Sequence, residues 1–221
     1  GGLTLRDLYF YNAYDAIDFG EANGSSLNTL IEHCNIGAYH FGIKLDYCGG
    51  SVTILSTGWG NTWDNGVGPS TITTWAQNNG VALLCYRVDG LRADLLNMYR
   101  VGIGIAMQDS PDTGRVPRNG YGTITNLSID SARIPIQCIS TSSIGYKIAG
   151  YEIAANAVGG AVTNILMQAG GTGTPVLKLV NGQTRALQGV PHVQHVAGTL
   201  SFVDNTFNDD WSNANGCIQP V

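Results

Sequence analysis

Short runs in which apolar and polar residues alternate recur along the chain, separated by corners rich in Asn, Asp and Gly. The clearest pair is Ala16-Ile17-Asp18-Phe19 and Gly42-Ile43-Lys44-Leu45, which repeat the same alternation 26 residues apart. Alternation with a period of two predicts β-strands that bury one face. Only residues 91–100 show a weak helical periodicity. The pattern therefore predicts an all-β protein.

Further copies of the same phrase indicate a repeat architecture. From Ile17, the next inward-facing positions are predicted at Ile43, Ile103, Ile136 and Val162, at spacings of 26, 60, 33 and 26 residues. The spacing of 60 is most simply two turns, one of which carries an insertion. A period of about 25 to 30 residues with short β-runs is typical of solenoids. Leucine-rich repeats share this period, but their L-x-x-L-x-L framework is missing.

The repeat predicts a right-handed parallel β-helix of about seven to eight coils. We expect residues 1–221 to form a single domain that is a segment of a longer chain. Coils should lie about 4.8 Å apart, the usual distance between strands. The run "TLSFVDNTFND" near residue 199 is predicted to be a last, degraded turn.

Two segments break the rhythm and are predicted to be inserted loops. The first spans residues 56–71 and carries Trp59, Trp63 and Asp64. Two Trp residues four apart in a Gly-rich loop suit a platform on which sugar rings stack, and Asp64 is a candidate catalytic acid. The alternatives are a loop that buries its own Trp, and a turn formed by the "DNG" sequence.

The second inserted loop spans residues 108–122 and carries Asp109, Asp112, Arg115 and Arg118. Arginine pairs bidentately with carboxylates, so Arg115 and Arg118 are candidate ligands for an acidic sugar. A local network of Asp and Arg that holds the loop is the alternative. Hard oxygen ligands also permit calcium here, although no EF-hand spacing supports it.

Stacking of the first two coils predicts a cluster of polar side chains. With Ile17 inward, Lys44 should lie beside Asp18, and His40 near Asp15 and Tyr14. A carboxylate beside a cation and an imidazole could act as a general acid and base. The alternative is a structural ion pair between neighbouring coils.

Composition narrows the choice of partners. Charged residues make up 12% of the chain and glycine contributes 30 of 221 residues, which suits a turn-rich β protein. The net charge of −5 gives nothing that would attract nucleic acid or an anionic membrane. The five cysteines, at positions 34, 48, 85, 138 and 217, lack metal-type spacing, so we expect buried thiols and no metal site.

The coil phrases resemble the pectate-lyase-like β-helix superfamily, particularly family-28-related glycosyl hydrolases and phage tailspikes. The phrases that carry the likeness are "GIKLDYCGG" (42–50), "GTITNLSIDSARIPI" (122–136) and "GYKIAGYEIAANAVGGAVTN" (145–164). The resemblance implies a secreted or virion-surface protein that acts on polysaccharide, and possible homotrimers. Of the polygalacturonase motifs only "DD" occurs, at residues 209–210.

Three hypotheses on function follow. A hydrolase would use two carboxylates among Asp15, Asp18 and Asp64, with Trp59 and Trp63 as sugar subsites. A lyase would depend on the cations Lys44, Arg115 and Arg118, with calcium as its only expected cofactor. The third hypothesis is a structural or binding β-helix without chemistry, such as a tailspike shaft, an adhesin or a self-assembling surface component.

Overall fold

The computed structural model describes residues 2–19, 28–60, 70–155, 160–187, 189–209 and 218–220. Over these ranges the chain winds as a right-handed parallel β-solenoid of about seven turns. Every strand pairing between successive turns is parallel, as in the pairing of Ile17 with Ile43. The predicted fold is therefore confirmed.

Eighteen strands and one helix make up the described part of the chain. Their bounds are β1 (Leu3–Arg6), β2 (Tyr9–Phe19), β3 (Thr29–Glu32), β4 (Asn35–Leu45), β5 (Val52–Trp59), α1 (Ser70–Asn79), β6 (Val81–Cys85), β7 (Asp89–Tyr99), β8 (Ile103–Met107), β9 (Tyr121–Ala132), β10 (Ile134–Cys138), β11 (Tyr146–Ala155), β12 (Ile165–Met167), β13 (Val176–Val180), β14 (Gln183–Ala186), β15 (Val193–His195), β16 (Thr199–Val203), β17 (Thr206–Asp209) and β18 (Ile218–Pro220).

The strands form three ladders, one on each side of the solenoid. The first ladder runs through β1, β3, β13, β16 and the first halves of β5, β7, β9 and β11. The second holds the second halves of those long strands, the starts of β2 and β4, and β14 and β17. The third contains the ends of β2 and β4, then β6, β8, β10, β12, β15 and β18. A coil therefore has three sides, and its inward side chains fill the centre.

A column of aliphatic residues fills the core behind the third ladder. Its members, in register from coil to coil, are Ile17, Ile43, Leu83, Ile105, Ile136, Ile165 and Val193. All of them are buried. Burial of such side chains contributes roughly 1.5–3 kcal/mol each, so this column is a main source of stability.

The predicted column is right at Ile17, Ile43 and Ile136 and wrong at two positions. Ile105 occupies the place predicted for Ile103, which pairs with Val81 and Ile134 instead. Strand side chains alternate with a period of two, so residues 103 and 105 share a face and alternation does not choose between them. Ile165 replaces Val162, which lies outside the strand.

The 60-residue spacing does contain two turns, as predicted. Strand β6 is the intermediate turn, and the insertion that precedes it contains helix α1. The first inserted loop is shorter than predicted, because residues 56–59 belong to β5.

Within the described ranges, no helix is long and apolar enough to cross a membrane.

The weak helical signal at residues 91–100 is a bent strand, β7. Leu95 adopts a left-handed backbone conformation with φ of 55°. This bend shifts the alternation, so Leu91 and Ala93 before it and Leu96 and Met98 after it all face inward. Inward positions at i, i+2, i+5 and i+7 resemble helical spacing, which explains the misleading pattern.

A left-handed residue forms the corner between the first and second ladders in every coil. The residues are Asp7, His33, Ser56, Leu95, Asn126, Gly150, Asn181 and Asp204. Such a conformation is uncommon for residues other than glycine, although Asn and Asp tolerate it best. The repeated bend turns the chain from one side of the coil to the next. It also explains why Asn and Asp are frequent at the corners.

Candidate functional site

A polar groove runs along the outer face of the second ladder. Its floor is one column of outward-facing residues in direct register: Asn35, Gly58, Asn97, Ser128, Glu152, Gln183 and Thr206. Three adjoining cavities of about 470, 650 and 220 Å³ follow this face, and all three have Ser128 in their walls. The groove thus crosses the coils along the length of the solenoid.

Three carboxylates line the groove without a cationic partner among the described residues. They belong to Asp130, Glu152 and Asp204. Asp130 accepts a 3.1 Å hydrogen bond from the hydroxyl of the adjacent Ser131. By contrast, seven other carboxylates in the described ranges lie within 4.0 Å of an arginine, lysine or histidine nitrogen. Uncompensated negative charge is therefore concentrated in the groove; outside it, Asp46 is buried and Asp94 accepts hydrogen bonds from Thr125 and Asn126.

Asp130 and Glu152 come from adjacent coils. Glu152 pairs in register with Ser128, and Asp130 lies two residues further along the same strand, β9. A coil spacing of about 4.8 Å and a rise of about 3.3 Å per residue give a Cα separation of about 8 Å. Both side chains are exposed to solvent. Side chains that leave the backbone at such a Cα separation can place their carboxylates on either side of a sugar bond and a water molecule.

The polar cluster predicted on the first two coils is present on the third ladder. Lys44 donates a 2.6 Å hydrogen bond to Asp18, and the Nδ1 atom of His40 lies 2.9 Å from Asp15 Oδ1. The backbone N–H of Phe41 also donates to Asp15. Burial lowers the pKa of Lys44, but the hydrogen bond and charge of Asp18 outweigh it and the pKa is raised. The predicted adjacency is confirmed, and each of these carboxylates has a partner.

An exposed aromatic cluster adjoins this pair. The ring of Tyr14, which is 60% exposed, stacks on His40 with centroids 4.7 Å apart. Helix α1 brings Trp75 within 6.4 Å of Tyr14 and 6.1 Å of His40. The sequence did not indicate Trp75, because the position of an inserted helix does not follow from the repeat.

Trp59 does not form the predicted sugar-stacking platform. It is the last residue of β5 and only 5% exposed, and its ring lies where a side chain at Gly42 would be. A buried ring has no free face for a sugar, so this prediction is corrected. Trp63 and Asp64 lie outside the described residues.

Arg115 and Arg118 are engaged within the second loop. The Nε atom of Arg118 donates to the Ser110 carbonyl at 2.8 Å, and its Nη1 atom lies 3.9 Å from Asp109. Arg115 lies 3.5 Å from Asp112 and 4.8 Å from the ring centroid of Tyr47. The local Asp–Arg network considered as the alternative is formed. A sugar carboxylate would have to compete with it.

The carboxylates of Asp46 and Asp109 anchor this loop to the solenoid. The pKa of Asp46 is raised and that of Asp109 is lowered. Asp46 is 5% exposed and accepts a 2.9 Å hydrogen bond from the Ser110 hydroxyl, but burial outweighs this bond and raises its pKa. Burial also acts to raise the pKa of Asp109. Hydrogen bonds from the Asn119 side chain, the Thr172 backbone and Ser140 outweigh it, and the pKa is lowered.

The cysteines of the described ranges are buried and unbridged. Burial raises the pKa of Cys85 and Cys138 to about 12, which keeps these thiols protonated at neutral pH. Cys217 lies outside the described residues. In the same ranges no three His, Cys, Asp or Glu side chains come together as a metal site would require.

Comparisons with protein-family models, with curated proteins and with solved structures found no match to this chain. The groove and its carboxylates are thus the main basis for inferring a function. Neither Asp130 nor Glu152 was singled out from the sequence. The signal that could have found them is the alignment of "LSID" (127–130) with "YEIA" (151–154), which places both beside the inward pair Ile129 and Ile153.

Proposed function

We propose that the protein binds a polysaccharide along the second-ladder groove and hydrolyses it with Asp130 and Glu152. The observation that carries this proposal is the pair of exposed carboxylates on adjacent coils, neither of which has a cationic partner among the described residues. The likeness of the coil phrases to the pectate-lyase-like superfamily supports it, because members of that superfamily act on polysaccharides outside the cell or on virions.

In this proposal the two carboxyl groups divide the work of hydrolysis. One, in its protonated form, gives a proton to the glycosidic oxygen as the bond from that oxygen to the anomeric carbon breaks. The other, as a carboxylate, takes a proton from water while the water oxygen bonds to the anomeric carbon. An inverting hydrolase needs its two carboxyl groups about 6.5–9.5 Å apart to hold that water, and a Cα separation of about 8 Å lets these two side chains adopt such a spacing.

The charge of the groove favours a neutral polysaccharide over a uronic acid polymer. Asp130, Glu152 and Asp204 would repel sugar carboxylates, and Arg185 is the only described lysine or arginine in the groove wall. The outward amides of Asn35, Asn97 and Gln183 offer hydrogen bonds to hydroxyl groups.

The test is to incubate the protein with neutral and acidic polysaccharides and to weigh the products by mass spectrometry. Products heavier by one water from a neutral polymer are expected, and Asp130→Asn and Glu152→Gln should each reduce their rate by about 10²-fold or more. Asp15→Asn, Asp18→Asn and Asp64→Asn are the comparison variants. Loss of activity in these but not in the groove variants would move the site to the earlier candidates. Unsaturated products would indicate a lyase and contradict the proposal.

A second candidate function, a structural β-helix that self-associates, is favoured by the first coil. Strands β1 and β2 pair on one side only within the described residues. Leu3, Tyr9 and Tyr11 of this coil are exposed by 43%, 61% and 57%. An open ladder with apolar side chains is a surface for association. A mass in light scattering that rises with concentration, together with no products from any polymer, would favour this candidate.

A further inference from the structure

A column of cations lies on the outer face of the first ladder. Arg92 pairs in register with Thr123, Thr123 with Lys147, and Lys147 with Lys178. All four side chains are exposed. Lys147 and Lys178 therefore lie on neighbouring strands about 4.8 Å apart, and Arg92 lies two coils from Lys147.

These cations have no partner in the described part of the chain. Their side chains make no ion pair or hydrogen bond there, whereas Arg6, Lys44 and Arg87 all pair with carboxylates. Like charges directly opposite each other on neighbouring strands are destabilising. In a chain with only eleven lysines and arginines and a net charge of −5, this accumulation is a distinct positive surface that is available to an anionic ligand.

The column borders a cavity of about 500 Å³ whose walls include Arg92, Lys147 and Lys178. The one carboxylate among its described lining residues, Asp89, is already paired with Arg87 at 3.2 Å. The Thr123 hydroxyl adds a hydrogen-bond donor between the cations. The cavity therefore presents positive charge that the protein does not neutralise.

We infer that this face, which we call the cationic column (Arg92, Thr123, Lys147 and Lys178), binds an anionic polysaccharide running along the solenoid. Cations repeated over several coils match a chain that carries repeated carboxylate or sulfate groups. Single-stranded nucleic acid fits less well, because its binding sites use exposed aromatic rings to stack bases. The aromatic residues of this cavity are the buried Tyr146 and the half-buried Tyr121. This inference is independent of hydrolysis in the second-ladder groove, which lies on another face and carries the opposite charge.

The test uses the whole protein and fluorescently labelled dextran sulfate, with neutral dextran as the uncharged control. Fluorescence anisotropy at low ionic strength should show binding of dextran sulfate that weakens steeply as salt is added, whereas any neutral dextran held in the second-ladder groove should bind with an affinity that salt leaves unchanged. Lys147→Gln and Lys178→Gln should each raise the Kd about two- to fivefold, the range expected for one exposed ion pair. The double variant should lose most of the binding.

Arg185→Gln is the matched control, because it removes one exposed and unpaired cation from a different face. It should leave the Kd within about twofold of the parent. Equal weakening by Arg185→Gln and Lys178→Gln would show that net charge alone attracts the polymer, and would overturn the inference. Absence of dextran sulfate binding at low salt would do the same. Equal affinity for a single-stranded oligonucleotide would contradict the choice of ligand class.

Discussion

Tyr151 and Asn205 are joined across two coils by a 2.7 Å hydrogen bond from the phenol hydroxyl to the amide oxygen. The bond spans the intermediate coil, where the backbone N–H of Gly182 donates to the same oxygen at 3.2 Å. The Asn205 amide in turn donates to the Leu179 carbonyl at 2.9 Å. Three successive coils are thus connected at one corner by side-chain bonds, in addition to the backbone ladders.

Tyr151→Phe is expected to lower the free energy of unfolding by about 1 kcal/mol, the usual net contribution of one hydrogen bond. The effect stays moderate because Gly182 still donates to Asn205. Thermal unfolding should show a Tm lower by about 2–4 °C for a chain of this size. Tyr14→Phe is the control, since Tyr14 is 60% exposed and its hydroxyl makes no hydrogen bond to another described residue. Equal Tm values for Tyr151→Phe and the parent would contradict the role of the bond.

Gly182→Ala is expected to destabilise the protein by about 1–3 kcal/mol, the cost of overpacking. A methyl group at this position would overlap the ring of Tyr151, which lies directly against the glycine. Gly58→Ala, in the same ladder, is the matched control. Its nearest atoms would be 3.6 and 3.9 Å from the new methyl group, so its effect should stay within about 0.5 kcal/mol. Urea denaturation of both variants tests this, and equal midpoints would refute it.

The extent to which sequence predicts this fold depends on how strictly a strand alternates. Ile17 and Ile43 lie in uninterrupted alternating runs, and their register also placed Lys44 beside Asp18. Alternation of apolar and polar residues does not predict the corners between the first and second ladders. A left-handed bend is expected of Asn126 but not of Leu95, whose conformation is imposed by its neighbours in the stack.

The sequence did not predict the groove, because its carboxylates come from different coils. Asp130 and Glu152 are 22 residues apart, belong to no motif, and become neighbours only through the pairing of β9 with β11. The cationic column arises in the same way, from the pairing of Lys147 with Lys178. In a solenoid, candidate sites therefore emerge from correct register over many coils, and an error of two residues changes which side chains meet.

Asp46→Asn is expected to stabilise the protein at neutral pH. Burial raises the pKa of this carboxyl above its ordinary value of 3.8, so the folded state binds more protons than the unfolded state just above that pH. Stability is consequently lost as pH rises through the folded pKa. Asparagine retains an oxygen that can accept the Ser110 hydrogen bond, without a buried charge. The variant's advantage in urea midpoint should grow from pH 4 to pH 7, and a constant difference would contradict the assignment.

Asp109→Asn should show the opposite behaviour. Although burial acts against it, hydrogen bonding lowers the pKa of this carboxyl below 3.8, so its ionised form stabilises the folded protein above that pH. That contribution is lost as pH falls through the folded pKa. Asparagine replaces one of the two acceptor oxygens with a donor, which conflicts with the N–H group of either Thr172 or Asn119. We expect a loss of about 2 kcal/mol at pH 7, the scale of a hydrogen bond to a charged group.

The two aspartates form a matched pair because both anchor the loop over residues 108–120. Urea denaturation from pH 3 to pH 7 should show the deficit of Asp109→Asn shrinking as pH falls below 3.8, because the carboxyl of the unfolded parent takes up a proton there while that of the folded parent is still ionised. Arg118 holds the same loop through the Ser110 carbonyl and should keep it folded in both variants. If Asp46→Asn and Asp109→Asn both raised stability, or both lowered it, at every pH, the result would contradict these assignments. It would mean that burial does not dominate the pKa of Asp46, or that hydrogen bonding does not dominate the pKa of Asp109.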